Sequence, residues 1–389
     1  MSIKRDICGI GLAGLLAAAA PVTALAASPE FARSAEEWAR LQDNIMEYDE
    51  LEDLIHEYNI TVQTNQLDLN EFKKEYGDTK DDVSQKYRDM AAEIYASVDY
   101  PDSDDPMYGY MVSSVLMAEI QAKNLEKQAD DNLEDSEIIY TNYQQAEKTL
   151  VTVAQNNMIS YQKGLLELRQ LEIARDQAQT TLDSAHVKLE IGSATQVDVL
   201  NAQEALQTAQ RNVETKKADN ETLRQKLQVL LGWKYSDTPE IREIPAADVS
   251  RIDGMDPLVD KTEALEHNYT LKVNKKKLAN AGSSNTIESL NKTIADNEQK
   301  IGSSLVTSYQ NVLAAKLAYD QAVAESELES RNLKTMELQY QQGLVSPNQY
   351  ENQKLVVENG QLAVKIADMN LFQTMETYDW AVAGLASAS

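Results

Sequence analysis

The sequence predicts an all-α protein of long antiparallel helical hairpins in two tandem repeats. These form a coiled coil or barrel of helices with few or no β-strands. Three observations carry this reading. From Tyr110 to Ile191 there is no proline and only one glycine, Gly164. A turn signature at Gly192 recurs at Gly343, 151 residues later. Beside both turns the apolar residues step by three and four, the spacing of a helical seam.

The chain opens as a secretory signal over residues 1–27. Lys4 and Arg5 precede an apolar run from Ile7 to Ala20, and Ala24-Leu25-Ala26 is a small-x-small cleavage site. The apolar run is short for a membrane span. Cys8, the only cysteine, lies inside it, so the mature chain has neither disulfide nor thiol chemistry. The formal charge is −27, and removing Lys4, Arg5 and Asp6 with the signal makes it −28. Such a balance argues against nucleic acid as a partner, because that needs a basic face.

Residues 28–232 read as the first helical repeat. A short leading helix over 28–53 carries Trp38, Leu41 and Ile45 on one face, and 54–76 is the first repeat helix. Breakers at Gly77-Asp78 and from Pro101 to Pro106 flank a helical piece at 80–98. The proline-free run that follows reaches roughly 120 Å if unbroken. Leu168, Leu171, Ala178, Leu182, Ala185 and Leu189 mark its seam, and Tyr140, Tyr143 and Tyr161 read as packing residues. At its end Gly192 takes the left-handed conformation that closes a helix. Thr195 is the N-cap of the next helix and Asp198 its capping-box acid. Ala194 and Val199 stand where a hydrophobic staple would form. The next seam runs through Val199, Ala202, Leu206, Ala209, Val213, Leu223, Leu227 and Leu230, interrupted at Lys216 and Asn220, and Gly232 closes it.

Pro239, Pro245, Gly254 and Pro257 make 233–257 a linker, and 258–389 is the second repeat. Its opening helix spans 258–281. A turn at Gly282-Ser283-Ser284-Asn285 leads into a helical run to Tyr340, with Gly302 as its one break. Two seams lie on that run: Leu305, Tyr309, Val312, Tyr319 and Val323 on one side, Leu313, Leu317, Ala324 and Leu328 on the other. Two seams on one helix suit packing between two neighbours. Gly343 repeats Gly192, Ser346 is the N-cap, Pro347 sits at the first helical position and Gln349 completes the capping box. Val345 and Tyr350 make the staple. The last helix, 347–383, carries Leu355, Leu362, Ile366, Met369 and Phe372 and ends at Trp380 and Gly384. Leu54, His56, Tyr58 and Val62 align with Leu265, His267, Tyr269 and Val273 at an offset of 211. The first half therefore carries about 60 more residues than the second between its opening helix and its turn.

Around the turns the chain resembles the TolC-like outer-membrane efflux family. The residues that carry the likeness are Gly192, Thr195, Asp198-Val199-Leu200, Ala202-Gln203 and Leu206, closing on Leu227, Leu230, Leu231 and Gly232; the second copy has Tyr340, Gly343-Leu344-Val345 and Ser346. The resemblance implies secretion across the inner membrane into the cell envelope. It implies a homotrimer whose helices form a hollow α-barrel across the periplasm, continued by a β-barrel in the outer membrane. Export would run with a periplasmic adaptor and an inner-membrane transporter, the adaptor docking at Gly192, Thr195, Gly343, Leu344, Val345 and Ser346. Two departures stand out. No ten-residue alternating segment reads as a membrane strand in either half. The family's acidic gate falls on Gln349 and Asn352, both uncharged, so that Asp198 alone keeps a carboxylate, as an aperture charge or as a capping acid. The alternative reading is a barrel-less extracytoplasmic coiled-coil spacer or structural protein of the cell envelope.

Nothing in the sequence points to catalysis or to a cofactor. His56, His186 and His267 have no ligand spacing. There is no P-loop, no glycine-rich dinucleotide turn and no Ser/His/Asp constellation. The chain reads as a non-enzyme.

Overall fold

The computed structural model describes residues 33–388, so the signal-peptide reading lies outside the described residues. The chain divides into two units between Asp43 and Asn44. The first holds α1 (Ala35–Leu41), whose N-cap Ser34 forms a capping box with Glu37. The leading helix is thus shorter than its apolar face suggests, because Ile45 lies instead in a two-residue strand of the second unit.

The second unit is almost wholly helical. Its first half contains α2 (Leu51–Tyr58), α3 (Ile60–Tyr76), α4 (Lys80–Ala96), α5 (Tyr108–Asp131), α6 (Ser136–Glu190) and α7 (Gln196–Leu230). Its second half contains α8 (Asp260–His267), α9 (Tyr269–Asn280), α10 (Ser284–Gln341) and α11 (Pro347–Trp380). The 58 residues of α10 give a rod of roughly 87 Å. Among the described residues the strands are β1 (Ile45–Met46) and β2 (Glu240–Ile241), paired in parallel.

Three expected continuous helices are broken, each at a short polar side chain. The opening helices are cut at Asn59 and Asn268. The long run before Gly192 is cut at 132–135, where Asp135 caps α6 by accepting from the Ile138 N–H at 3.0 Å. Reading breaks from proline and glycine alone misses them, since asparagine and aspartate also offer the backbone a partner outside the helix. Conversely, Gly302 does not break α10. A Cβ there would sit 3.0 Å from Cε of Lys261, so the glycine makes room for a neighbouring side chain.

Asn59 and Asn268 do the same work in the two halves. Each is buried, each caps the helix that follows, and each reaches the end of its own half. Asn59 Oδ1 accepts from the Thr61 and Val62 N–H groups at 2.9 and 3.3 Å, while its Nδ2 donates to the Leu230 carbonyl at 2.8 Å. Asn268 Oδ1 accepts from the Leu271 N–H at 3.0 Å, and its Nδ2 donates to the carbonyls of Gly384 and Ala386 at 3.2 and 2.9 Å. Beside each stands a glycine at positive φ, Gly232 at 88° and Gly384 at 112°. A Cβ on Gly232 would lie 2.6 Å from that of Tyr58, and one on Gly384 would lie 2.5 Å from the His267 carbonyl oxygen.

This equivalence corrects the repeat register. Asn59 and Asn268 are 209 residues apart, not 211, and Glu57-x-Asn59-x-Thr61 matches Glu266-x-Asn268-x-Thr270 at that offset. The first half then holds 58 additional residues. They are the α4–α5 hairpin and its flanks, helical where the family resemblance implies membrane strands.

The halves pack through α6 and α11. Arg169 pairs with Glu358 at 2.8 Å, and Gln373 donates to Asn156 at 2.6 Å. Residues 233–257 are fastened across both helices: Gln162 donates to the Arg242 carbonyl at 2.8 Å, and Arg251 bridges Glu376 and Asp379. A core forms where α8, α9, α10 and α11 meet, around Leu271, Ile301, Leu305, Leu371, Met375 and Tyr378. In the α6–α7 hairpin Asn220 does not interrupt the seam. It is 4% exposed and seats against Gly164, where a Cβ would fall 1.9 Å from its Oδ1. Tyr143 and Tyr161 are half-buried, whereas Tyr140 is exposed rather than packed.

Replacing Asn268 by alanine removes a cap and orphans two carbonyls. We expect Asn268→Ala to cost about 2–4 kcal/mol and Asn59→Ala, with one carbonyl, about 1–3. Chemical denaturation measures both. A cost below ~0.5 kcal/mol for Asn268→Ala would refute the clamp.

Candidate functional site

The α6–α7 and α10–α11 turns are built alike, bond for bond. At the first, the Gly192 N–H donates to the Leu189 carbonyl at 3.0 Å and the Ser193 N–H to the Lys188 carbonyl at 2.7 Å. At the second, Gly343 donates to Tyr340 and Leu344 to Gln339, both at 2.9 Å. This pair of bonds is the Schellman closure, which needs a left-handed residue; φ is 74° at Gly192 and 71° at Gly343. Nothing lies within 4 Å of a Cβ at either glycine, so conformation alone, not crowding, calls for glycine here.

Each following helix opens on a capping box. The Thr195 N–H donates to Asp198 Oδ2 at 2.7 Å and the Asp198 N–H to Thr195 Oγ1 at 3.3 Å. In the second copy the Ser346 N–H donates to Gln349 Oε1 at 2.9 Å and the Gln349 N–H to Ser346 Oγ at 3.3 Å. The bond from the Thr195 N–H, then that from its hydroxyl, holds the Asp198 carboxyl below the ordinary aspartate range. Asp198 is exposed, and its Oδ2 accepts both cap bonds, from the Thr195 N–H and hydroxyl.

Between the two tips runs an open cleft that brings Lys188, Ser193 and Asp198 together with Asn348 and Asn352. Its floor is threonines, serines and amides. Around the turns the chain shows bare apolar side chains: Leu344 is 69% exposed, and Ile191, Val197 and Leu200 are more than half exposed. Val345 is half-buried. Tyr350 stacks on Tyr340 at 4.9 Å, with Lys354 over its outer face. The sequence marks Leu200 only through the family resemblance and gives Ile191 and Val197 no role at the turn, because residues at a turn fall out of the seam periodicity. Among the described residues no cluster of His, Cys, Asp or Glu has metal-binding geometry, and no helix is long and apolar enough to cross a membrane.

The fold matches solved structures. The outer-membrane channel OprN superposes with a TM-score of 0.54 at 13% identity, over 89% of this chain and 92% of that one. The outer-membrane protein VceC of Vibrio cholerae gives a TM-score of 0.50 at 12% identity, over 90% and 99%. The fold is that of the TolC-like outer-membrane channels. No protein-family model and no curated protein matches the chain by sequence. The TolC-like architecture is therefore kept at an identity where only the helical pattern, the turns and the caps remain readable.

Alanine at Gly192 or Gly343 meets no neighbour, so each change should cost about 1–2 kcal/mol, the strain of the left-handed conformation alone. Gly384→Ala, which drives a methyl into backbone, should cost more. Equal melting shifts for all three would contradict this assignment. Asp198 has a lowered carboxyl, so the stability it lends is present above about pH 4 and is lost as pH falls through its folded pKa. Thr195→Val should move its NMR titration part of the way back toward an ordinary aspartate; no movement would mean that the hydroxyl does not hold it.

Proposed function

We propose that this chain is the channel-forming component of an export conduit in the cell envelope, working as a homotrimer with a periplasmic adaptor and an inner-membrane transporter. The observation that carries the reading is the second face of α10. Its first seam is buried: Leu305 and Val312 are fully covered. Its second is bare, with Leu313 at 43%, Leu317 at 69% and Leu328 at 55% exposed. Val306, Leu317 and Leu328 are spaced by 11, which keeps the stripe nearly straight along the helix. A continuous apolar stripe of this length marks an interaction surface. A ring of subunits covers it by setting each α10 against a helix of the next chain, and the fold shared with OprN supports that arrangement.

In this reading the turns at Gly192, Thr195, Gly343, Leu344, Val345 and Ser346 form the end that meets the adaptor. Their exposed apolar side chains supply the contact, and the glycines supply the shape. Asp198 acts there as a capping acid, since the cap bonds and the lowered pKa both rest on its Oδ2. Asn348 and Asn352 face the same cleft, so Asp198 is the one carboxylate among its lining residues.

A second reading is favoured by the α4–α5 hairpin. It occupies the place where the resemblance implies membrane strands, and it suits a barrel-less spacer of the cell envelope that kept the helical conduit. Both readings need the trimer.

Leu317→Glu should break the trimer contact with helix content unchanged, read by sedimentation and circular dichroism. A wild-type chain that sediments as a monomer at micromolar concentration ends both readings. Ion conductance across a planar bilayer then separates the channel from the spacer.

A further inference from the structure

The α4–α5 hairpin is uneven. Tyr95 bonds Glu126 and Arg88 bonds Asp130, a register that sets the end of α4 close to Lys123 of α5. The first ~15 residues of α5, roughly 22 Å, therefore run past the end of α4. Only the loop 97–107 lies beside them, held by the bond from Tyr100 to Glu119 at 2.7 Å. From Pro106 to Ala118 there is no charged residue. The inner side, Met111 and Val115, is half-buried, but the outer side is not: Leu116 is 54%, Met117 73% and Ile120 51% exposed.

Charge says what covers this stripe. At its loop end stand Asp102, Asp104 and Asp105. At its far end, on the same outer face, stand Lys123 and Lys127, exposed and without an ion-pair partner among the described residues; Asp102 and Asp104 likewise have none. A lipid surface favours an apolar face flanked by lysine and arginine, and three carboxylates at the tip oppose it. A second copy laid parallel sets the acidic tips against each other. A second copy laid antiparallel sets Asp102 and Asp104 of each chain against Lys123 and Lys127 of the other while the apolar stripes meet between them.

We propose that the projecting part of α5 is a self-association surface that pairs antiparallel with α5 of a second copy. The contact is two-fold and self-complementary. It lies at the end of α6 opposite the glycine turns, so it joins two molecules through the ends where the resemblance implies a membrane barrel. The pairing itself stands on α5 alone. The number of chains it gathers rests on the trimer reading: two trimers joined by three such pairs make a hexamer, whose repeated weak contacts reinforce one another.

Sedimentation of the purified chain tests this, with the wild type and three variants. The wild type should sediment as a hexamer, Leu116→Glu as a trimer, Leu317→Glu as a dimer, and the combination as a monomer. If the trimer reading alone fails, the wild type is a dimer and Leu116→Glu a monomer, so the two failures are distinguishable. Reversing Asp102 and Asp104 to lysine, or Lys123 and Lys127 to aspartate, should weaken the α5 contact by about tenfold, and combining both reversals should restore it. These positions are exposed, so folding is spared. A mass unchanged by Leu116→Glu overturns the proposal. So does stronger association on reversing the aspartates alone, which signals parallel packing. Flotation with phosphatidylcholine vesicles that Leu116→Glu abolishes, without self-association, assigns the stripe to lipid and overturns it equally.

Discussion

Each half of the molecule hangs on one buried asparagine. Asn59 and Asn268 use the amide oxygen to start a helix and the amide nitrogen to hold the carbonyls where the last helix of that half ends. The start and the finish of each half are thereby fixed to each other across 171 residues in the first and more than 100 in the second. Long hairpins have no such closure of their own. Two antiparallel rods can slide by a turn at little cost unless something at their base sets the register, and a buried amide with all its partners in place makes the alternative registers expensive. Glycine is required beside each amide because the chain passes so close that a methyl group would enter backbone or side-chain atoms.

With the base fixed, the rest follows from how little a two-helix hairpin can bury. The helix α10 offers two apolar stripes, and its hairpin partner covers only one. Toward the base, α2, α3, α8, α9 and the linker cover more, and the fully buried residues collect there. Toward the turns there is only the hairpin and its neighbour across the α6–α11 contact. The exposed leucines of α10 are thus a consequence of architecture.

The fold class was readable because helical periodicity over fifty residues leaves no other interpretation, and the turns because a left-handed glycine followed by a capping box is a local device written in seven consecutive residues. What was not readable depended on tertiary partners. The Asn59 and Asn268 breaks look like ordinary helix in sequence; only the recurrence of Glu-x-Asn-x-Thr marks them. Asn220 looked like a fault in a seam until Gly164 supplied the space opposite. Gly302 looked like a break when its smallness serves Lys261. The bare face of α5 gave no periodic signal because its inner and outer sides are both apolar, a pattern that normally denotes a buried helix.

That last feature bears on why a hairpin stands where the resemblance implies strands. A membrane barrel satisfies its backbone only when every strand is paired around a closed ring, so it cannot be shortened piecemeal. A helix satisfies its backbone alone. An insertion of 58 residues in the first half, unmatched in the second, is therefore far more easily filled by helix than by strand. The second half contributes only a tight turn from α9 to α10 at the same level, with Ser283 as the cap of α10. In the proposed pairing the apolar surface at that end meets another copy of the chain, and the acidic loop beside it sets the direction by repelling its own kind in parallel and accepting it in reverse.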